Sequence, residues 1–184
     1  MNDKRVLWIV QTALFIALLI VIQISTAFMG NTLITGSLVN LVLIISVLSY
    51  GLLTGCSIAL LSPLIAKLFG IGPLWSIIPF IILGNVVLVM IYGLVAKRID
   101  ALNNKKIFYY NIALVIVAAL CKCIVLYLGI VKIMVPLFLE LPAKQAHVIS
   151  SMFSLPQFFT ALVGGFLALI IYQQLKKILN NTSQ

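Results

Sequence analysis

Six stretches of this chain are long, apolar and almost free of charge, and they constrain its fold more than any motif does. They cover residues 6–28, 38–50, 54–69, 74–96, 107–131 and 153–175. A helix needs about 20 mostly apolar residues to cross a bilayer, and within hydrocarbon it satisfies its own backbone polar groups. The chain is 64% hydrophobic and only 8% charged over 184 residues, more apolar surface than a soluble domain of that size can hide. The expected fold class is all-α: an integral membrane bundle of six transmembrane helices, forming a single transmembrane domain over residues 1–184. The second and third runs are short and are parted by Gly51-Leu52-Leu53-Thr54-Gly55, which reads as a tight turn. One 30-residue helix is the competing reading, and the two glycines count against it.

The charges orient the bundle. Lys4 and Arg5 precede the first run, Lys97, Arg98, Lys105 and Lys106 fall between the fourth and fifth, and Lys176 and Lys177 follow the sixth. Basic residues mark the cytoplasmic side of a membrane protein. All three clusters share one side only if the number of spans is even and both termini are cytoplasmic. Lys4-Arg5 followed by an apolar run and Ser25-Thr26-Ala27 has some features of a cleavable signal peptide, but the run exceeds a usual signal core. Cleavage would also leave five spans and break the charge pattern. The net charge of +9 therefore reads as topology, with no call for nucleic acid as a partner.

Lys122 stands near the middle of the run 107–131. A charge at membrane depth costs at least about 2.5 kcal/mol, which makes such a residue a functional candidate by default. The ordinary rescue is a carboxylate on a neighbouring helix, yet Asp3, Asp100 and Glu140 all lie outside the apolar runs. Lys122 is expected to have no partner in the hydrocarbon region and to meet an anionic ligand. The orientation also assigns depths at about 1.5 Å per residue. Gln23, Asn40, Ser62, Pro63, Lys67 and Gln157 fall in the outer half, Asn85 near the centre and Lys122 just outside it. The inner half is mostly Leu, Ile, Val and Ala. A pore needs a polar lining through its whole depth; this pattern fits an outward-facing pocket above an apolar plug. The segment 29–37 with Gly30, Asn31, Thr32, Thr35 and Gly36, the turn 70–75 with Pro73, and the long connection 132–152 with Glu140 and His147 would lie over its mouth.

Several chemistries find no support. There is no GxxxxGK[ST] phosphate loop, no HExxH, no GxSxG elbow and no intramembrane carboxylate for ion coupling. Cys56, Cys121 and Cys123 form no CxxC pair, and the chain's one histidine, His147, cannot complete a zinc site with them. They read as small apolar side chains, so no metal site is expected. The chain is not expected to be an enzyme. A binding site without an engine points to a partner that supplies energy. In the first run Ala13 and Ala17 put two small residues on one helix face, the spacing that lets helices approach closely.

In size, six spans, inward termini, the Ala13/Ala17 pair and an outer ligand site, the chain resembles the substrate-binding S component of an energy-coupling factor (ECF) transporter. The resemblance covers nearly the whole chain. It implies a cell-membrane protein that captures a vitamin or similar small molecule and docks on a transmembrane T protein carrying two ATPase subunits. Ala13 and Ala17 would make the T-protein contact. It also implies no cofactor in this chain, ATP being hydrolysed by the partners, and a reorientation in the bilayer that an apolar inner half suits. The family's nickel and cobalt branch has a His-rich N-terminus, whereas this chain starts Met1-Asn2-Asp3, so a metal substrate is not expected. A stand-alone carrier or facilitator and a membrane assembly factor are the alternatives.

Seven residues are candidates for substrate contact. Lys122 leads as the partner of a carboxylate or phosphate, against snorkelling or bonding to helix carbonyls. Asn85, next to Gly84, serves a ligand or an interhelical hydrogen bond, and Asn40 and Gln157 stand the same way. Lys67 snorkels or reaches the ligand. Trp75 anchors at the interface or stacks on a planar ring, and Tyr127 is a second stacking candidate. The pair Gly164-Gly165 reads as helix packing.

Overall fold

The computed structural model describes residues 3–29, 31–72, 74–100 and 107–182. Of the residues named above, Met1, Asn2, Gly30, Pro73, Lys105 and Lys106 lie outside that set, as do the side chains of Lys4, Lys97, Asp100 and Lys177. The described chain is helical with no strands: α1 (Asp3–Ala27), α2 (Thr32–Tyr50), α3 (Leu52–Leu68), α4 (Ile78–Asp100), α5 (Ile107–Leu126), the three-residue turn α6 (Val135–Leu137), α7 (Ala143–Met152) and α8 (Leu155–Thr182). Trp75–Ile77 is a 3-10 turn leading into α4, and α5 continues as a π-helix over Tyr127–Met134.

Five segments are long and apolar enough to cross a membrane: Arg5–Ala27, Thr32–Tyr50, Trp75–Ala96, Ile107–Leu137 and Ala143–Lys176. The sixth, Leu52–Leu68, is shorter; its 17 residues rise about 25 Å, against roughly 30 Å of hydrocarbon. The six apolar helices expected are therefore five of spanning length and one short one. Thr32, Thr35 and Gly36 are part of α2, because the Asn31 side chain caps it, accepting from Leu33 N at 3.0 Å and Ile34 N at 3.4 Å.

Two other boundaries moved. The five-residue turn at 51–55 shrinks to Gly51 alone, whose φ of +88° is open to glycine at little steric cost; its N–H closes α2 on Val47 O at 2.9 Å. Gly55 lies within α3. The connection 132–152 is not a long loop either. The π-helix, α6 and α7 take up most of it, leaving residues 138–142 outside a helix. Local backbone bonds can be made there without deep burial, which a hydropathy reading does not register.

Helix α2 is central, packing on α1, α3, α4 and α8. The larger core cluster takes Val42, Leu43, Ile44 and Val47 from α2, Leu88, Val89 and Tyr92 from α4, Leu114, Val115, Ala118 and Ala119 from α5, and Ala161 and Ala168 from α8. On each helix these residues lie to one side of Asn40, Asn85, Lys122 and Gln157. A smaller cluster of Ile77, Leu126, Ile130 and Phe153 lies at the opposite end. The polar residues fall between the two.

Candidate functional site

Lys122 is 4% exposed and is not alone. Its ammonium donates to Asn40 Oδ1 at 2.5 Å and to Asn85 Oδ1 at 2.7 Å, joining α5 to α2 and α4. Asn40 Nδ2 then donates to Thr160 Oγ1 at 3.3 Å, and Thr160 Oγ1 donates to the Gln157 carbonyl at 3.1 Å. One hydrogen-bonded chain thus ties four helices together. This corrects the expectation that Lys122 has no partner in the hydrocarbon region. A search for a countercharge overlooks the carboxamide, whose oxygen solvates an ammonium without neutralising it. No carboxylate pairs with Lys122 among the described residues.

Close approach of α2 and α8 makes the chain possible. Gly36 and Asn40 lie four residues apart on α2, and Thr160 and Gly164 four apart on α8, each pair sharing a helix face. A Cβ on Gly164 would meet Ser37 O at 2.6 Å and Asn40 Cβ at 2.7 Å. Glycine there lets the two backbones come near enough for Asn40 to reach Thr160. Gly84 has a related role, facing the side chain of Leu126. Both glycines serve helix contact.

Lys122, Asn40 and Asn85 line a cavity of about 350 Å³, within the roughly 300–1,000 Å³ range of small-molecule sites. Val39, Ile78, Ile81, Leu126, Met152 and Phe153 supply apolar walls. Gln23, Thr26, Asn31, Thr35 and Gln157 line it nearer the end where α1 joins α2, α3 joins α4 and α7 joins α8. There Thr35 Oγ1 donates to Thr26 Oγ1 at 2.7 Å, and Gln157 Nε2 donates to Met152 O at 3.2 Å. The core beyond Asn40 and Lys122 is the larger apolar cluster, so the polar lining stops at mid-depth. Conduction would need it to continue.

Of the seven candidates, the structure brings Lys122, Asn85, Asn40 and Gln157 into one cavity. It leaves Lys67, Trp75 and Tyr127 outside the lining. Lys67 is half-buried in the last turn of α3, Trp75 is 54% exposed, and Tyr127 faces a separate apolar groove with Cys123, Leu128 and Leu155, its ring 5.6 Å beneath Lys132 Nζ. Stacking on these aromatics would need a ligand outside the cavity. Thr160 and the walls from Met152 and Phe153 escaped the sequence reading. A threonine in an apolar helix carries little signal, since its hydroxyl also bonds to its own backbone. Ala13 and Ala17 are exposed on α1. The three cysteines are free, and no group of three or more metal-ligating side chains occurs among the described residues.

An apolar helical bundle with a half-depth cavity, polar at its floor and closed below by packed aliphatics, is built as a membrane protein that binds a small molecule. A family model described as "ECF transporter, substrate-specific component" matches residues 8–175. No curated protein and no solved structure matches. The chain belongs to the substrate-specific components of ECF transporters. It is a multi-pass protein of the cell membrane and the substrate-binding subunit of a transporter, not an enzyme.

Proposed function

We propose that this chain captures an anionic, vitamin-like small molecule from outside the cell and delivers it by docking on a transmembrane T protein that carries two ATPase subunits. In this reading the whole chain is one transmembrane domain of six spans, α3 included, with both termini cytoplasmic. The cavity end of the bundle faces outward. The observation that carries it is Lys122: a buried lysine with two neutral amide partners and, among the described residues, no carboxylate, at the floor of a cavity of ligand size. A purely structural lysine of this kind would be a poor choice, because a packed apolar residue avoids the desolvation cost. Support for the docking comes from α1, where Ala13 and Ala17 leave a low, exposed strip that a partner helix can approach closely.

Reconstitution tests the whole scheme. Purified protein in liposomes should bind its ligand yet accumulate it only when the T protein and ATPases are present with ATP. Ala13→Trp with Ala17→Trp should abolish uptake and spare binding. Transport by the isolated chain would replace this reading with a stand-alone facilitator. Loss of binding in the tryptophan variant would assign the alanine pair to internal packing.

A further inference from the structure

Lys122, Asn40 and Asn85 form the floor of the cavity. An ammonium donates hydrogen bonds and cannot accept them. Both amide oxygens, Asn40 Oδ1 and Asn85 Oδ1, therefore accept from Lys122 Nζ, which leaves both NH2 groups to find other partners. Asn40 Nδ2 spends one of its two N–H donors on Thr160. Among the described residues the Asn85 side chain hydrogen-bonds through Oδ1 and not through Nδ2, and a lysine has a third N–H beyond the two committed here. A ligand at the floor thus meets donors of two kinds, the lysine and the free amide N–H groups, which suits the two oxygens of one oxyanion.

The charge count narrows the anion. Lys122 is the one ionisable side chain in the lining among the described residues. A phosphate monoester carries about −1.5 to −2 at neutral pH, so part of its charge would stay unpaired in a largely apolar cavity, where unpaired charge is costly. A carboxylate carries a single charge and is matched. The walls narrow the rest of the molecule. Phe153 is the one aromatic residue in the described lining, so nothing there sandwiches a planar ring. Ile81 and Leu126 stand one turn beyond Asn85 and Lys122 toward the mouth. Thr35 lies five residues beyond Asn40, about 7.5 Å along the helix, and with Gln23 and Gln157 it forms a neutral polar rim.

Resting on the anion-capture reading above, we propose that the ligand is a monocarboxylate with an aliphatic middle and a neutral hydrogen-bonding group at its far end. The carboxylate lies on Lys122 Nζ and Asn85 Nδ2, the middle against Ile81 and Leu126, and the neutral group at the rim.

Matched probes test this. Thermal unfolding of the full chain in mild detergent is followed with biotin and biotinamide, lipoate and lipoamide, pantothenate and panthenol, and with pyridoxal phosphate, thiamine and riboflavin. Small molecules released on denaturation are identified by mass spectrometry in parallel. The expected result is a carboxylate ligand whose neutral counterpart binds about ten- to a hundredfold more weakly, the worth of a hydrogen bond to a charged group. Lys122→Met should erase that preference. So should Asn85→Asp, a near-isosteric change that sets a fixed negative charge beside Lys122 and tests the same point should the methionine variant fail to fold. If the tightest ligand is a phosphate ester, a cation or a neutral molecule, the carboxylate assignment is overturned while substrate capture stands. If no probe binds and the released fraction is empty, both fall.

Discussion

Gly164→Ala is the sharpest test of how the site is held together, because two opposing effects set its sign. Alanine in a helix interior gains about 1 kcal/mol over glycine. Against that, the new Cβ would sit 2.6 Å from Ser37 O, 2.7 Å from Asn40 Cβ and 2.9 Å from Leu41 N. Two of these are backbone atoms that cannot rotate away. Restoring an ordinary contact of about 3.4 Å requires α2 and α8 to separate by about 0.8 Å. The Asn40–Thr160 hydrogen bond is already 3.3 Å long and does not survive such a widening. Overpacking costs about 1–3 kcal/mol and the lost hydrogen bond about 0.5–1.5 kcal/mol. The net loss is about 2 kcal/mol, or a fall in Tm of roughly 4–8 °C for a chain of this size. Asn40 also loses one of the two contacts that fix its amide, so ligand affinity should drop with stability. The assay is thermal unfolding with and without ligand. An unchanged or higher Tm with full ligand stabilisation would show that the α2–α8 contact does not hold Asn40 in place.

Two further outcomes follow from the same packing. Tyr92 Oη is buried without a hydrogen-bond partner among the described residues, and a Cβ on Gly165 would meet it at 2.6 Å; Tyr92→Phe should therefore raise stability by about 1 kcal/mol and rescue much of the loss caused by Gly165→Ala, and equal Tm losses for Gly165→Ala in both backgrounds would refute the contact. Trp75→Ala, Tyr127→Ala and Lys67→Ala should each leave ligand affinity within about twofold, a shift of under 0.5 kcal/mol, since none lines the cavity; a tenfold loss in a binding titration of any one would mean that the ligand extends beyond it.

How much of this was legible beforehand differs from residue to residue. Lys122 stood out because hydrocarbon makes every charge expensive, and that penalty is local, attached to the residue itself. The helices were legible for the same reason: apolar length and backbone satisfaction are properties of a segment. Helix ends were less so. Asn31 extends α2 back to Thr32, and Gly51 shortens a five-residue turn to one, through hydrogen bonds and a backbone angle that hydropathy does not weigh. Lys67, Trp75 and Tyr127 stand close in sequence to the lining residues Ala66, Ile78 and Leu126, but nearness along the chain says nothing about rotation around a helix axis.

By itself, then, the sequence determined that this chain is a helical membrane protein with one costly charge at mid-depth and polar residues to one side of it. Only the tertiary structure decided that Asn40 and Asn85 face that charge, that Thr160 holds Asn40, and that Lys67, Trp75 and Tyr127 face elsewhere. The physical reason is rotation and register. A residue's position along a helix follows from its number, whereas the direction of its side chain follows from how neighbouring helices pack, and here that rests on contacts such as Gly164 against Ser37, 127 residues apart in a chain whose hydropathy reads only a window at a time.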